Sequence, residues 1–133
     1  MAESTQRLDI VTPEKKVFTG DVNFVVVPGE LGELGFLPNH APLMSGLKIG
    51  LVRVHQEGKQ FKVAVSGGFV EVRGNRVTIL ADTAEREDEI DRDRAEAARE
   101  RAERRLSEKA ADLDVKRAEL ALQRALNRLK ALQ

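Results

Sequence analysis

Residues 85–105, EREDEIDRDRAEAARERAERR, constrain the fold most, because 16 of these 21 residues are charged and Ile90 is their one large apolar side chain. The segment lacks Gly and Pro and is rich in Ala, Glu and Arg, which are strong helix formers, so it predicts a helix. At about 100° per residue the helix carries two stripes. They are Ile90, Arg94, Ala97 and Arg101 on one side, and Ala95, Ala98, Ala102 and Leu106 on the other. Such a helix is mostly solvated and packs through a thin alanine seam.

Charge density divides the chain near Ala84. Residues 1–84 carry 9 basic and 9 acidic residues, whereas the last 49 carry 13 of each. We therefore predict a domain of residues 1–84 and a second of residues 85–133. Lys and Arg together number 22, as do Asp and Glu, so the balance does not favour nucleic acid or an anionic membrane as the main partner.

Composition also excludes several kinds of chemistry. The chain has no Cys, which rules out disulfides, thiolate catalysis and thiolate metal sites. Its apolar runs are well short of the roughly 20 residues of a membrane helix, and its polar start, MAESTQR, is not typical of a signal peptide. We expect a soluble protein, or one that reaches a membrane through a partner.

The first 84 residues alternate between short β-branched runs and turn signals, which predicts an all-β sandwich or barrel. The runs are 8–12, 17–19, 22–27, 47–54, 61–65, 69–72 and 76–80, the fifth and sixth separated by Ser66-Gly67-Gly68. Large apolar side chains alternate clearly with other residues in residues 61–65, which predicts a strand with one buried face. Residues 24–27 are continuously apolar and predict a strand that is covered on both faces or lies against another subunit.

A Gly- and Pro-rich segment, PGELGELGFLPNHAPL, occupies residues 28–43. Its glycines are spaced by three, but no Lys-Ser/Thr pair and no helix follow them, so turns are favoured over a phosphate-binding loop. Glu33 and His40 are the polar side chains expected to reach outward from it.

A second amphipathic helix is predicted over residues 113–132, after a polar link at 107–112. Asp82 or Asp88 is the expected cap of the first helix. The apolar face of the second helix is predicted to be Val115, Ala118, Leu122, Leu126 and Leu129. An alanine seam buries little and the link has no helix breaker, so we predict closed and open forms of the pair separated by a few kcal/mol.

The arginines of the two helices allow two interpretations. Arg94 and Arg101 share one stripe, and Arg124 and Arg128 are an i, i+4 pair on the second helix. If the stripes converge, four guanidinium groups surround one cleft and suit a polyphosphate. Otherwise they are solvated arginines paired with acidic neighbours, which spacing alone favours.

Four segments carry a resemblance to a known family, the epsilon subunit of bacterial F-type ATP synthase. They are GELGELGFLPNHAPL (29–43), VSGGFVEVRGNRVTILADTAER (65–86), Ile90-Asp91-x-x-Arg94-Ala95, and RAELALQRALNRL (117–129). The resemblance runs over essentially the whole chain. It implies an N-terminal β-sandwich of about ten strands followed by a C-terminal two-helix antiparallel hairpin.

The resemblance also implies a function. The expected protein is a non-catalytic central-stalk subunit that couples proton flow to ATP synthesis. Its β-domain would bind the gamma subunit and touch the c-ring through Glu33 and His40. Its hairpin would extend toward the alpha/beta hexamer to inhibit ATP hydrolysis, and bound ATP would hold it folded. Such a subunit is a monomer when isolated, and in the complex it is peripheral on the cytoplasmic side of the bacterial plasma membrane.

The nucleotide motif of thermophilic bacillus-like members implies a set of ATP-binding residues in this chain. They are Glu85, Ile90, Asp91, Arg94, Ala95, Arg101, Arg124 and Arg128. No dedicated metal cage is expected, although Mg²⁺ could approach Asp91 or Glu85. The alternative is a stand-alone β-domain with a coiled-coil or RNA-binding arm, but the chain has no Trp or Tyr and the arm is net neutral. An enzyme would lack a base–nucleophile pair, since His40 and His55 are the only histidines.

Overall fold

The computed structural model describes residues 4–108 and 110–133. Residues 1–3, part of the polar start considered above, and Lys109, part of the predicted link, lie outside the described residues. The chain forms two compact units that divide between Arg86 and Glu87. That division falls two residues after the boundary inferred from charge density.

The first unit is built from strands. In the described part of the chain there are eight: β1 (Gln6–Val11), β2 (Lys16–Val22), β3 (Phe24–Gly29), β4 (Gly32–Phe36), β5 (Leu43–Gln56), β6 (Lys59–Arg73), β7 (Arg76–Ala81) and β8 (Ala84–Arg86). They pair in the order β2-β1-β7-β6-β5-β3-β4, and β8 also pairs with β6. The β1–β7 pair is parallel, and the other pairs are antiparallel.

A buried hydrogen bond shows how this sheet closes into two layers. Gln6 of β1 donates from Nε2 to the carbonyl oxygen of Phe36 of β4 at 2.7 Å, although the two strands lie near opposite ends of the pairing order. Gln6 is 2% exposed and Phe36 is 1% exposed. Because a flat sheet could not bring these strands together, the sheet folds over on itself and encloses the apolar core.

The core is formed by alternate side chains of the strands, as period-2 patterning requires. Its fully buried members include Leu8, Ile10, Val25, Val27, Val52, Val54, Val63, Val70, Val77 and Ile79. The predicted β-sandwich is confirmed, with eight strands rather than about ten. Val26 is only 8% exposed, so β3 is covered on both faces, the first of the two possibilities for residues 24–27.

The prediction of a turn at residues 66–68 was wrong, because β6 runs through them as one 15-residue strand. Gly67 and Gly68 have φ values of 83° and 120°, and a Cβ on Gly68 would lie 2.1 Å from the carbonyl oxygen of Leu80. These glycines allow the strand to bend instead of ending. The N-terminal half of β6 pairs with β8 and its C-terminal half with β7.

The interpretation of the glycines of residues 28–43 as turn residues was also wrong in part. The segment contains the end of β3 and all of β4, which form a hairpin in which Gly29 pairs with Gly32. Gly35 lies within β4 opposite Val26, where a Cβ would approach the ring of Phe24 to 3.0 Å. This glycine therefore makes room for an aromatic ring rather than forming a turn.

The second unit is a helical hairpin. A short 3-10 turn, Glu87–Glu89, precedes α1 (Arg92–Glu108), and α2 (Val115–Ala131) follows. The helices pack together, and Arg92 Nη2 donates to the carbonyl oxygen of Leu132 at 3.5 Å. Because the start of α1 thus meets the end of α2, the pair is antiparallel.

The start of the first helix was predicted seven residues too early. Glu85 and Arg86 pair with Ala64 and Val63 as part of β8, so tertiary pairing overrides their helix propensity. The cap is neither Asp82 nor Asp88. Asp91 is the cap, since its Oδ1 accepts a hydrogen bond from the Arg94 amide at 3.1 Å.

The predicted alanine seam is confirmed on α1, whose buried residues are Ala95 and Ala102. On α2 the predicted face was wrong in part: Val115 is 50% exposed and Leu126 is 46% exposed, whereas Ala118 is buried. Ala118, Ala125 and Ala131 are the buried residues of α2. Since the separation of two helices depends on the side chains at their contact, small residues on both let them approach closely and leave the larger side chains at the rim.

Replacing Gln6 by Leu tests the closure of the sandwich. The variant deprives the buried Phe36 carbonyl of this donor, which we expect to lower the free energy of unfolding of the β-domain by about 1–3 kcal/mol. Urea denaturation followed through valine methyl NMR signals measures the change. Gln60→Leu, at an exposed position of β6, is the control and is expected to change it by less than about 0.5 kcal/mol.

Candidate functional site

An arginine-lined cleft lies between α1 and α2. Its volume is about 740 Å³, within the range of about 300–1,000 Å³ that is usual for small-molecule sites. Five arginines line it: Arg101 and Arg105 from α1, and Arg117, Arg124 and Arg128 from α2. Its floor includes small side chains of the seam, among them Ala98, Ala102, Ala118 and Ala121. The thin seam thus leaves an open groove with cationic walls.

Acidic groups compensate this charge only in part. Asp112 and Asp114 are the two acidic residues of the lining. Asp114 caps α2, since its Oδ1 accepts from the Arg117 amide at 3.0 Å. Within residues 4–108 and 110–133, the side chains of Arg101, Arg105, Arg117 and Arg124 form no ion pair. Guanidinium groups gathered in this way suit an anionic ligand.

Arg99 shows what a paired arginine looks like in the same helix. Its Nη2 lies 2.7 Å from Glu96 Oε2, and its Nη1 lies 3.4 Å from Glu103 Oε1. The hydrogen bond and charge of Glu96 raise the pKa of the Arg99 guanidinium above its ordinary value. This arginine fits the interpretation of solvated, paired charges. Four of the cleft arginines differ from it, since within the described ranges they form no ion pair: Arg101, Arg105, Arg117 and Arg124.

Three of the four arginines expected to converge line the cleft: Arg101, Arg124 and Arg128. Arg94, in the first turn of α1, is exposed and is not among the lining residues. Ile90 precedes the helix, Asp91 caps it and Ala95 is 2% exposed in the seam. Glu85 belongs to the first unit, in β8.

Arg105 and Arg117 also line the cleft, and neither was in the predicted set. A sequence signal for both existed. Arg105 follows Arg101 by four residues, and Arg117 precedes Arg124 by seven, so each shares a helix face with a predicted residue. Their place beside the link depends on how the hairpin closes, which spacing within one helix does not reveal.

Glu33 and His40 are both exposed on the β-domain. Glu33 lies in β4 and forms an ion pair with Arg53, with 3.4 Å between Oε1 and Nη2. His40 lies in the loop between β4 and β5, where its Nδ1–H donates to the Ala41 carbonyl oxygen at 2.7 Å. Its ring meets the edge of Phe36 with centroids 5.1 Å apart. These contacts hold both side chains at the surface in defined positions.

An apolar patch lies on the outer face of the sheet. Phe69 of β6 pairs with Leu80 of β7 and Gly46 of β5, and Met44 lies two residues from Gly46 on the same face. Phe69, Leu80 and Met44 are 59%, 56% and 66% exposed. Large apolar side chains grouped in this way are typical of protein–protein contacts.

Two further findings bear on ligands and membranes. In the described ranges, no group of three or more His, Asp or Glu residues could hold a metal ion. No helix in that part of the chain is both long and apolar enough to cross a membrane.

Two family models match the chain almost end to end. The ATP synthase delta/epsilon chain beta-sandwich domain matches residues 5–87, and the long alpha-helix domain of the same chain matches residues 88–133. The junction between them lies one residue after the division between the two compact units.

Curated relatives agree with these models. The ATP synthase epsilon chain of Pelotomaculum thermopropionicum is 67% identical over 131 residues, which cover 98% of each chain. That of Desulforamulus reducens is 62% identical over 129 residues, covering 97% of this chain and 98% of the relative. Among solved structures, a chain of the Euglena gracilis mitochondrial ATP synthase matches with a TM-score of 0.81 at 24% identity, covering 100% of this chain and 85% of that one. At that identity the match supports the fold alone.

Removing the Asp114 cap tests the local structure of the cleft. Asp114→Ala is expected to lower the stability of the helical unit by about 1 kcal/mol, because the start of α2 loses a hydrogen-bonded cap. Asp112→Ala removes the same charge from the lining without removing a cap, and should have a smaller effect. Thermal melting followed by circular dichroism at 222 nm compares them; equal losses would contradict the assignment.

Proposed function

Because the chain belongs to the epsilon-chain family of bacterial F-type ATP synthase, a non-catalytic subunit of the complex, we propose that its helical hairpin is a regulatory element that ATP holds closed. When open, the hairpin extends toward the alpha/beta hexamer and inhibits ATP hydrolysis. The observation that carries the proposal is the gathering of five arginines around one cleft that has two acidic residues.

Electrostatics supports a ligand-dependent closure. Like charges brought together by closing repel each other, and the repulsion is strongest where water is partly excluded. A triphosphate neutralises several guanidinium groups at once through charge-assisted hydrogen bonds. The anion therefore stabilises the closed hairpin more than an open one, in which the arginines of the two helices are far apart. That difference in affinity is what shifts the equilibrium.

The stabilisation that the alanine contacts provide and the stabilisation that a bound ligand adds are similar in size. The buried residues of both helices are alanines, each contributing under about 1 kcal/mol of hydrophobic stabilisation. A ligand present at 100 times its dissociation constant stabilises the form it binds by about 2.7 kcal/mol. ATP at such a concentration is enough to change which form of a marginal hairpin predominates.

Each predicted residue has a proposed role. Arg101, Arg124 and Arg128 bind phosphate oxygens, and Arg94 approaches from the same helix face as Arg101. Ile90 offers an apolar surface to the base, and Asp91 and Glu85 accept hydrogen bonds from base or ribose. Ala95 keeps the wall beside the seam small. A calorimetric titration with ATP, repeated with and without EDTA, tests whether Mg²⁺ accompanies ATP near Asp91 or Glu85.

The β-domain supplies the proposed contacts within the rotor. The apolar patch of Met44, Phe69 and Leu80 is suited to the gamma subunit, because it offers exposed apolar area on a rigid sheet. Glu33 and His40 are proposed to contact the c-ring. Through these contacts the subunit helps to couple proton flow to ATP synthesis. It lies on the cytoplasmic side of the plasma membrane, attached only through the complex, and is a monomer when isolated.

The alternative of a stand-alone β-domain with an RNA-binding or coiled-coil arm is not favoured. The arm itself matches the long alpha-helix domain of the ATP synthase chain at residues 88–133.

Calorimetric titration with ATP tests the regulatory site. We expect saturable binding by the wild type, and affinity reduced about tenfold or more in Arg124→Ala and Arg101→Ala, since a hydrogen bond to a charged group contributes about 1.5–3 kcal/mol. Arg104→Ala is the matched control, because Arg104 is an exposed arginine of α1 outside the cleft. If titration of the wild type gives no heat of binding, the proposal is wrong. If Arg104→Ala loses as much ATP affinity as the cleft variants, the loss comes from overall charge and not from the cleft.

Phe69→Glu tests the docking patch. A charge at the centre of an apolar contact has to be desolvated on binding, so we expect the affinity for the gamma subunit to fall at least tenfold, which corresponds to about 1.4 kcal/mol. Surface plasmon resonance with immobilised gamma subunit measures it. Lys59→Glu, an exposed charge change at the β5–β6 turn, should leave binding nearly unchanged. Normal binding by Phe69→Glu contradicts this assignment.

A further inference from the structure

Three exposed acidic residues border the apolar patch on the outer face of the sheet: Glu30, Glu71 and Asp82. Glu71 lies opposite Met44 in the β5–β6 ladder and two residues after Phe69 in β6. Asp82 follows Leu80 by two residues. Because side chains alternate along a strand, both carboxylates lie on the same face as the patch. We refer to the three acidic residues as the acidic rim.

Two glycines make room for carboxylates of the acidic rim. A Cβ at Gly46, which lies opposite Phe69, would be 2.5 Å from Glu30 Oε1. A Cβ at Gly67, two residues before Phe69, would be 2.8 Å from Asp82 Oδ2. Each carboxylate therefore lies over bare backbone that neighbours Phe69 in the sheet, a close approach that a larger residue at either glycine would prevent.

The acidic rim has no cationic partner within residues 4–108 and 110–133. None of its three members forms an ion pair there. Lys48, two residues after Gly46 in β5, and Arg73, two residues after Glu71 in β6, are exposed but pair with none of them. The rim thus surrounds the patch with negative charge that no contact compensates.

Acidic residues elsewhere on the same outer face are paired. Asp9 of β1 lies 3.8 Å from Arg76 Nη1 and 4.0 Å from Arg7 Nε, and its Oδ1 accepts a hydrogen bond from the Thr19 hydroxyl. Asp21 of β2 lies 3.8 Å from Arg7 Nη1. The sheet therefore supplies cations for its acidic residues away from the patch and leaves those beside the patch available to a cation from another molecule.

Charge distinguishes among the surfaces that could cover an exposed apolar patch. An anionic lipid surface attracts basic segments and repels carboxylates. A symmetric contact with a second copy of this chain would bring two acidic rims together, and like charges facing each other across an interface are unfavourable. A protein surface with Lys and Arg around apolar side chains complements both the patch and its rim.

We propose that the acidic rim binds Lys and Arg side chains of the gamma subunit, on a segment whose apolar side chains cover Met44, Phe69 and Leu80. The inference rests on the proposed function, in which this patch docks gamma. Charges at the edge of an interface chiefly steer association and select the correct partner and register. The patch supplies the apolar contact, and Glu30, Glu71 and Asp82 determine which apolar surface is accepted.

Amide variants of the full chain test the rim, because they remove charge and keep the shape of the side chain: Glu30→Gln, Glu71→Gln and Asp82→Asn. Surface plasmon resonance with immobilised gamma subunit measures the affinity. We expect each variant to bind about two- to fivefold more weakly, as for an exposed ion pair. The triple variant should lose at least about tenfold, mostly through slower association. Glu14→Gln removes an exposed acidic residue between β1 and β2 and should bind as wild type.

Salt distinguishes a role of charge from a role of shape. Raising the NaCl concentration screens exposed charges, with a Debye length of about 8 Å at 0.15 M ionic strength. The affinity of the wild type should therefore fall as salt is added, and that of the triple variant should change much less. A loss by the same factor at every salt concentration would contradict ion pairing by the rim.

The outcomes separate this inference from the docking patch itself. If Phe69→Glu weakens binding but the triple variant matches wild type in affinity and salt dependence, the role of the rim is wrong and the patch stands. If Phe69→Glu binds gamma normally, the patch is wrong and the role of the rim fails with it. Binding of the wild type to phosphatidylglycerol vesicles that Phe69→Glu abolishes would assign the patch to a lipid surface and overturn the inference.

Discussion

The contact between the two helices is made by alanine, and much of what the helical unit can do depends on that choice. Small side chains at Ala95, Ala102, Ala118 and Ala125 allow α1 and α2 to lie close together while burying little apolar area. A leucine seam would stabilise the closed hairpin more strongly and would fill the groove. The alanine seam leaves a weakly held pair with a cleft beside it.

Without the charges on its walls, the groove would offer few groups that could bind a ligand. Five arginines with two acidic residues give the groove an excess of positive charge, which makes it receptive to an anion. Arg99, which is satisfied by Glu96 and Glu103 within its own helix, shows that α1 can pair an arginine where a neighbour is placed for it. The β-domain contrasts with this unit, since Gln6 and an extensive apolar core close it firmly.

Local patterns in the sequence predicted the sandwich, both helices and the seam on α1, because these depend on periodicity. They did not predict features that depend on distant partners. Glu85 and Arg86 have helix propensity, yet they pair with β6, some twenty residues earlier. Arg105 and Arg117 line the same cleft only because the two helices pack together. The rotation of α2 about its own axis follows from the packing of its alanines against α1. Spacing alone favoured solvated, paired arginines, and ATP as the proposed ligand comes from the family resemblance.

The distance between the helices tests the central claim most directly. Because the chain has no native cysteine, spin labels at Ala97→Cys and Gln123→Cys, both exposed positions, report on the hairpin without further changes. We predict a mixture of short and long distances without nucleotide, and a shift to the short distance when ATP is added. A single short distance that ATP does not alter would contradict the account.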